Sequence, residues 1–536
     1  MRGKLSAICL GLLLISGCGR NVEHTFYTSG VIYCSESNPI TFNPQLDTST
    51  TTADATSHQI YDKLLVFDPD TGQITPSLAS SWLISEDGLT YTFQLRKNVK
   101  FHTTPYFSPS RNFNADDVIF SINRWRLASH PYHEVSGGQY PYFDSIGLAD
   151  NIETVERING YRIEITLKRR DSSFLANLAT DFSVILSAEY GDNLLVKGVP
   201  HQIDIKPIGT GPYIFQDYRK DRFIRYERNE EHWKQLNSAQ ALVFDITPRS
   251  SLRLAKLITQ ECDATAFPAQ TELDVIRTND ELTLAEKPGL NIGFWAFNTE
   301  KAPFNNPDVR RALAAAIDKN TLLEAVYFDS ATRAKTLLPT ASWAYQNDAD
   351  DTAYNPVLAR RLLSDAGVPP DFSMTIWAMP VKRAYNPNAT KMAELIQRYL
   401  QDVGIDAEIV TYDWLTFRKR LQDGEHDSVL IGWSADNGDP DNFYRPLLSC
   451  GAIPSGTNRA MWCNQDYDRL LDEAIETNDI DERRAIYQQV NRLLFEQQPL
   501  VPIAHAYRYQ AYRNELNGMS INPFGGVKFG GVSKTE

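Results

Sequence analysis

Cysteine, paired histidines, glycine-rich loops and long apolar runs are all scarce in this sequence, and each scarcity closes off a class of chemistry. The 536 residues include six cysteines, none in C-x-x-C spacing or beside a zinc-type histidine pattern, so no metal is expected. The nine histidines are scattered, His58, His102 and His232 among them, and read as surface or core residues. An H-E-x-x-H pair and a G-x-S-x-G elbow are both missing, and the carboxylate pair Asp116-Asp117 reads as a helix cap region. A secreted hydrolase therefore lacks its machinery, and neither enzymatic activity nor a cofactor is expected. With no glycine-rich ATP loop and no apolar run of membrane-spanning length, the chain cannot drive transport by itself. Basic residues are also outnumbered. Lys and Arg total 53 against 67 Asp and Glu, for a net charge of -14, which argues against nucleic acid or anionic lipid as a main partner and tolerates cationic ligands.

What the chain does carry begins at its start. Arg2 and Lys4 precede an apolar run from Leu5 to Ile15, and the segment ends Ile15-Ser16-Gly17-Cys18. This looks like a bacterial lipoprotein signal, with residues 1–17 removed, Cys18 lipidated and residues 18–28 serving as a polar tether. The expected location is the periplasm, with membrane contact through the lipid alone. Loss of Arg2 and Lys4 makes the mature chain more acidic by two charges. In that oxidising compartment Cys34, Cys262, Cys450 and Cys463 suggest two disulfides, out of three possible pairings. Cys450 and Cys463, 13 apart with Gly451, Pro454 and Gly456 between them, read as a local staple, which leaves Cys34 with Cys262 as a long-range link.

More than five hundred mature residues exceed one hydrophobic core. Gly30 to Cys34 reads as a buried strand, Asp87-Gly88 as the turn of a hairpin over 81–96, and Asn114 as a helix cap. A strand pair covers about 154–168, and a further sheet segment lies near 208–230. The character then shifts near residue 290. After a strand-like run 291–298, Asn306-Pro307-Asp308 opens a helix. Alternation follows: strand 373–379, helix 389–402, strand 406–411, helix 414–422 and strand 428–434, with another amphipathic helix around Ile486 to Leu494. The last thirty residues return to strand and turn. No linker separates these regions, so an α/β fold of two intimately joined lobes is expected.

Several stretches, in order, carry a family resemblance. They are Leu78-Ala79-Ser80-Ser81-Trp82 with the Asp87-Gly88 hairpin, Asn114-Ala115-Asp116-Asp117-Val118, Gly209-Thr210-Gly211-Pro212-Tyr213, and Ala296-Phe297-Asn298 through Asn305-Asn306-Pro307-Asp308-Val309-Arg310. From about residue 30 to its C-terminus the chain resembles bacterial extracytoplasmic solute-binding proteins of the peptide/nickel class (family 5). Within that class it is similar to the dipeptide-binding and Sap antimicrobial-peptide branches. Arg445-Pro446-Leu447-Leu448-Ser449-Cys450 leans toward Sap, as do Trp343-Ala344-Tyr345 and Pro141-Tyr142-Phe143-Asp144-Ser145 more weakly.

The resemblance implies the two-lobed periplasmic binding protein fold of the large peptide-binding type. Residues 29–289 would form an N-terminal lobe I with an inserted subdomain over about 61–210. Residues 290–505 would form lobe II, and residues 506–536 would return to lobe I. Crossovers near residues 290 and 505 would serve as the hinge. It implies a monomer that binds short or cationic peptides for an ABC importer whose permease and ATPase are separate proteins. A haem ligand and a non-transport chaperone are the alternatives.

In Gly432-Trp433-Ser434-Ala435-Asp436 the resemblance assigns Asp436 to a peptide α-ammonium, while Asp439 and Asp441 read as a solvated acidic turn. Arg383, 53 residues ahead of Asp436, takes the position of a carboxylate clamp, for which a guanidinium fork is suited. Tyr385, Trp414 and Trp433 match aromatic positions lining the cleft. Thr48, Ser49 and Thr50 match a cleft-facing loop in which glycine is expected at position 50, so Thr50 should remove room and backbone freedom.

Overall fold

The computed structural model describes residues 30–68 and 71–535. The leader, Cys18 and the tether to residue 28 lie outside the described residues. Among the described residues no helix is long and apolar enough to cross a membrane.

Twelve strands form one mixed sheet that passes through both halves of the molecule. Its order is Asp406–Val410, Ser373–Ala378, Ser428–Ser434, Asn291–Phe297, Leu500–Arg513, Ala264–Thr265, Gly30–Ser35, Ala241–Ile246, Phe223–Arg228 and Tyr213–Arg219. The strands Leu282–Pro288 and Ala331–Arg333 also pair with Leu500–Arg513. Parallel pairing occurs at Gly30–Ser35 against Ala241–Ile246 and at Ser373–Ala378 against both of its neighbours, the register expected of α/β crossovers. The long strand belongs to both lobes. Its first half, from Leu500 to Ala504, pairs with Asn291–Phe297, and its second half, from Tyr507 to Arg513, pairs with Leu282–Pro288.

Two main cores flank this strand. One gathers residues from Val31 to Ala266 together with Leu516, Val527, Phe529 and Val532, and the other runs from Leu290 to Ala506. The first also covers a separate antiparallel sheet made of Ala79–Ile84, Thr90–Leu95, Arg162–Leu167 and Ile152–Asn159. The C-terminal segment is fixed to the first lobe by Gln59, whose Nε2 donates to the Val527 carbonyl at 2.7 Å, and by Asp54, which accepts from the Val527 amide at 2.7 Å.

Local chemistry accounts for the element starts. Asn114 and Asp117 form a capping box on Ala115–Arg126, with Arg111 forked onto the Asp117 carboxylate at 2.7 and 2.9 Å. Asn306 caps Pro307–Ala316, Asn388 caps Ala389–Asp402 and Asp413 caps Trp414–Gln422. Buried Arg310 donates to the carbonyls of Phe304, Gln497 and Gln498, tying its helix to the entry of the long strand.

Cys34 is bonded to Cys262 and Cys450 to Cys463, with Cα–Cα distances of 5.9 and 4.5 Å. The loops they close span 228 and 13 residues. In the chain-entropy picture these are worth about 5 and about 3 kcal/mol. Replacing Cys34 and Cys262 by serine should therefore lower the urea midpoint more than replacing Cys450 and Cys463. Equal shifts in the two double variants would refute the loop-length argument.

Candidate functional site

Strand Ser428–Ser434 delivers Asp436 to the boundary between the lobes. Beyond the strand the chain is pinned by its backbone: Ala435 N–H donates to the Leu290 carbonyl at 2.8 Å and Asp436 N–H to Asn442 Oδ1 at 3.0 Å. Trp433 reaches the same Asn442 oxygen through Nε1 at 3.4 Å. The Asp436 carboxyl itself has no side-chain partner among the described residues. Burial, reinforced by the nearby charge of Asp181, pushes it up to about 8. Such a group retains its charge only if a cation comes to it.

The lobes meet directly beside this carboxyl. Asn437 is buried, and its Nδ2 donates across the boundary to Asn177 Oδ1 at 2.9 Å and to the Tyr142 hydroxyl at 3.3 Å. Tyr142 also donates to Asn177 Oδ1 at 2.9 Å, and Ser172 N–H donates to the Ile475 carbonyl at 2.8 Å.

Tyr385 and Arg383 are brought together on the second lobe. Arg383 and Asn386 exchange backbone hydrogen bonds at 3.1 Å, making a tight turn that presents both side chains. The turn rests on glycine. Gly293 and Gly432 face one another in register on adjacent strands, and a Cβ on Gly293 would lie 2.1 Å from the Tyr385 carbonyl oxygen. A Cβ on Gly432 would lie 2.3 Å from the Tyr385 ring and 2.3 Å from the Ile292 oxygen. Tyr327 adds a 2.7 Å hydrogen bond from its hydroxyl to the Tyr385 carbonyl. Burial raises the Tyr385 phenol above its usual range, against the lowering effect of Arg383, Arg418 and Arg459 around it. Trp414 begins the helix that carries Arg418 one turn later, and it stacks on Phe417 with ring centroids 5.9 Å apart.

Thr48, Ser49 and Thr50 lie on the first lobe, where the sequence becomes a helix start. Ser49 caps Thr50–Ala55, accepting from Thr52 N–H, and its hydroxyl bonds Asp47. Thr50 is an exposed first-turn residue and does not have the positive φ that would call for glycine. The loss of backbone freedom expected from Thr50 therefore does not arise, since a helical φ suits threonine. The reading of Asp439 and Asp441 as a solvated acidic turn also fails. Both are buried, Asp439 on Arg483 at 2.8 Å and Asp441 on Arg445 at 2.9 Å.

Sequence reasoning missed the first-lobe wall altogether. Asp181 lies between His58 Nε2 at 3.0 Å and Lys63 Nζ at 2.9 Å; burial pushes its carboxyl up, but these two contacts outweigh burial and hold it below the usual range. Glu36 and Asp54 are both raised by burial, and Arg508 beside them is lowered by it. No spacing in the sequence links these residues, because their partners come from distant segments. Gly432→Ala should cost about 1–3 kcal/mol through overpacking against Tyr385, seen as a lowered Tm with far-UV circular dichroism unchanged; an unaltered Tm would refute the close approach.

The chain is similar to known proteins over nearly its whole length. A family model described as "Bacterial extracellular solute-binding proteins, family 5 Middle" matches residues 73–455. The chain is 42 % identical over 530 residues to the dipeptide-binding protein of Escherichia coli K12, covering 99 % of this chain and 98 % of that one. It is 40 % identical over 508 residues to the peptide transport periplasmic protein SapA of Salmonella typhimurium, covering 95 % and 92 %. The dipeptide-binding protein of Pseudoalteromonas sp. SM9913, solved with Met-Leu, superposes with a TM-score of 0.88 at 45 % identity, covering 94 % of this chain and 100 % of that one. A two-lobed α/β architecture, a match over most of the chain and near-complete relatives on both branches lead to one conclusion: the chain belongs to the family 5 bacterial extracellular solute-binding proteins.

Proposed function

We propose that this protein is the periplasmic substrate-binding component of an ABC peptide importer, held at the membrane by a lipid on Cys18. It captures a short peptide between its lobes and presents the closed form to a separate permease and ATPase. The observation that carries the reading is the half-buried Asp436 carboxyl, which has no side-chain partner among the described residues, set apart from an arginine-rich pole around Tyr385. A peptide supplies an ammonium for the first and a carboxylate for the second, with Arg383 as the clamp and Tyr385, Trp414 and Trp433 as the aromatic wall. Thr48, Ser49 and Thr50 supply the rim of the opposite lobe. A second reading, a cationic peptide of the Sap type, is favoured by Glu36 on the first-lobe wall, whose Oε2 has no hydrogen-bond partner among the described residues and would receive a basic side chain.

Titration calorimetry with Met-Leu tests the dipeptide reading. Asp436→Asn should weaken binding by about 2–5 kcal/mol, thirtyfold or more, because the ammonium would be buried without a counter-charge. Undiminished affinity in this variant would refute the assignment. The same carboxyl predicts a pH dependence of closure. Its pKa rises from the ordinary carboxylate range in water to about 8 in the closed form, so closure without ligand takes up a proton. That contribution is fully present below the ordinary carboxylate range and is lost as pH rises through about 8. Small-angle scattering of peptide-stripped protein should show more closed form at pH 4 than at pH 8, and Asp436→Asn should abolish the difference. A profile unchanged by the substitution would assign closure to other groups.

A further inference from the structure

The cationic pole holds more charge than one peptide carboxylate needs. Arg383, Arg418 and Arg459 all act on the Tyr385 phenol, and Arg418 acts on Arg459 as well. Among the described residues none of the three makes an ion pair. Their neighbours do, Lys419 with Asp423 at 2.9 Å and Arg420 with Glu425 at 2.7 Å, so the nearby carboxylates are already engaged. Glu36, on the opposite lobe, feels the charges of Arg253, Arg383 and Arg508 but makes no ion pair with any of them among the described residues.

Arg459 is the most demanding of the three. Its Nη1 is buried and finds no hydrogen-bond partner, although a guanidinium is always charged and its N–H groups need acceptors. Burial first, and Arg418 next, lower it to about 10, which leaves it charged at neutral pH. Its backbone is held firmly. The Arg459 carbonyl bonds His426 Nε2 at 2.7 Å, and Asn458 Nδ2 donates to the Ser449 and Trp462 carbonyls at 3.0 and 2.8 Å. The Cys450–Cys463 disulfide closes this loop. Arg459 is half-buried, and its enclosed, unpaired Nη1 is a donor that an anion from outside can complete.

One carboxylate is satisfied by one bidentate fork and neutralises one charge. Tyr385, its phenol raised by burial, adds a hydroxyl but no charge. Resting on the peptide reading above, we infer that Arg383, Arg418 and Arg459 form a receptor for two carboxylates, and that the favoured ligands are short peptides with an acidic side chain at the C-terminal residue. Arg383 takes the α-carboxylate, and Arg459 with Arg418 takes the side-chain carboxylate.

Calorimetric titration of the full mature protein with Ala-Glu and Ala-Gln is the test, since the two differ by one charge at nearly constant shape. Ala-Glu should bind at least tenfold more tightly, and Arg459→Gln should bring that ratio to within about twofold of unity, whatever it does to absolute affinity. Equal affinities in the unaltered protein, or a ratio preserved in Arg459→Gln, would overturn the acidic preference while leaving the peptide reading intact. Binding of neither dipeptide would overturn both. Should Arg459→Gln fold poorly, Arg418→Gln at an exposed position gives the same readout: a reduced ratio supports the receptor and a full ratio refutes it.

Discussion

The carboxyl of Asp436 is half-buried beside the contact between the lobes, and among the described residues no cation pairs with it. Burying a carboxylate without a partner is penalised by several kcal/mol even after the surroundings relax. Closing the lobes over this group is therefore opposed by its own charge, and under the proposed function a ligand ammonium would offset that cost. The neighbouring residue converts that local event into a domain contact. Asn437 follows Asp436 directly and carries the hydrogen bonds to Asn177 and Tyr142 on the other lobe. The unpaired carboxyl at one residue and the lobe contact at the next share a single stretch of backbone, pinned by Asn442 and Leu290.

This coupling needs a frame in which both lobes are referred to common atoms, and strand Leu500–Arg513 provides it. Where its partner changes from Asn291–Phe297 to Leu282–Pro288, a side chain stands in for the regular ladder. The Asn291 amide donates to the Ala506 carbonyl at 2.9 Å and accepts from the Ala506 N–H at 2.9 Å. His505 Nδ1 bonds the Asn291 carbonyl at 2.7 Å. A Cβ on Gly289 would lie 2.2 Å from the Asn291 side chain and 2.6 Å from the Ala506 oxygen, so only glycine fits at this crossing. The Asn291 bonds keep the backbone paired through the switch, which is what lets one strand serve both halves of the sheet. Rotation about such a point would change few contacts on either side, as expected of a hinge between rigid bodies.

How much of this was legible in the sequence follows from how local each cause is. Asn306 announces its helix because a cap acts within three residues, and the observed helices Ala389–Asp402 and Trp414–Gln422 have the bounds that the alternating pattern predicts. Both disulfides were readable from spacing and compartment. Asp439 was misread because the arginine that buries it, Arg483, lies 44 residues further along. Asp441 was misread although Arg445 stands only four residues away, since an i,i+4 pair looks the same in sequence whether solvated or buried. The first-lobe wall of Glu36, Asp54 and Asp181 carried no signal, because its meaning depends on what faces it across 118 to several hundred residues of chain. Arg459 gave only its position inside a disulfide loop.

The sequence-level charge also misleads about the ligand. A net charge of -14 invites a cationic partner, yet opposite poles coexist within the boundary region, one acidic at Asp436 and one built from three guanidinium groups around Tyr385. At physiological ionic strength exposed charges more than about 8 Å apart are largely screened from one another, whereas groups enclosed between the lobes are screened much less. Once the lobes close, the surface charge that dominates the total has little influence on the bound molecule, and the few enclosed groups have most of it. Net charge can set how ligands approach, as a long-range field does. Under the proposed function, selection after closure would be decided by whether each of the two charges, Asp436 at one end and Arg459 at the other, finds its complement on the same molecule.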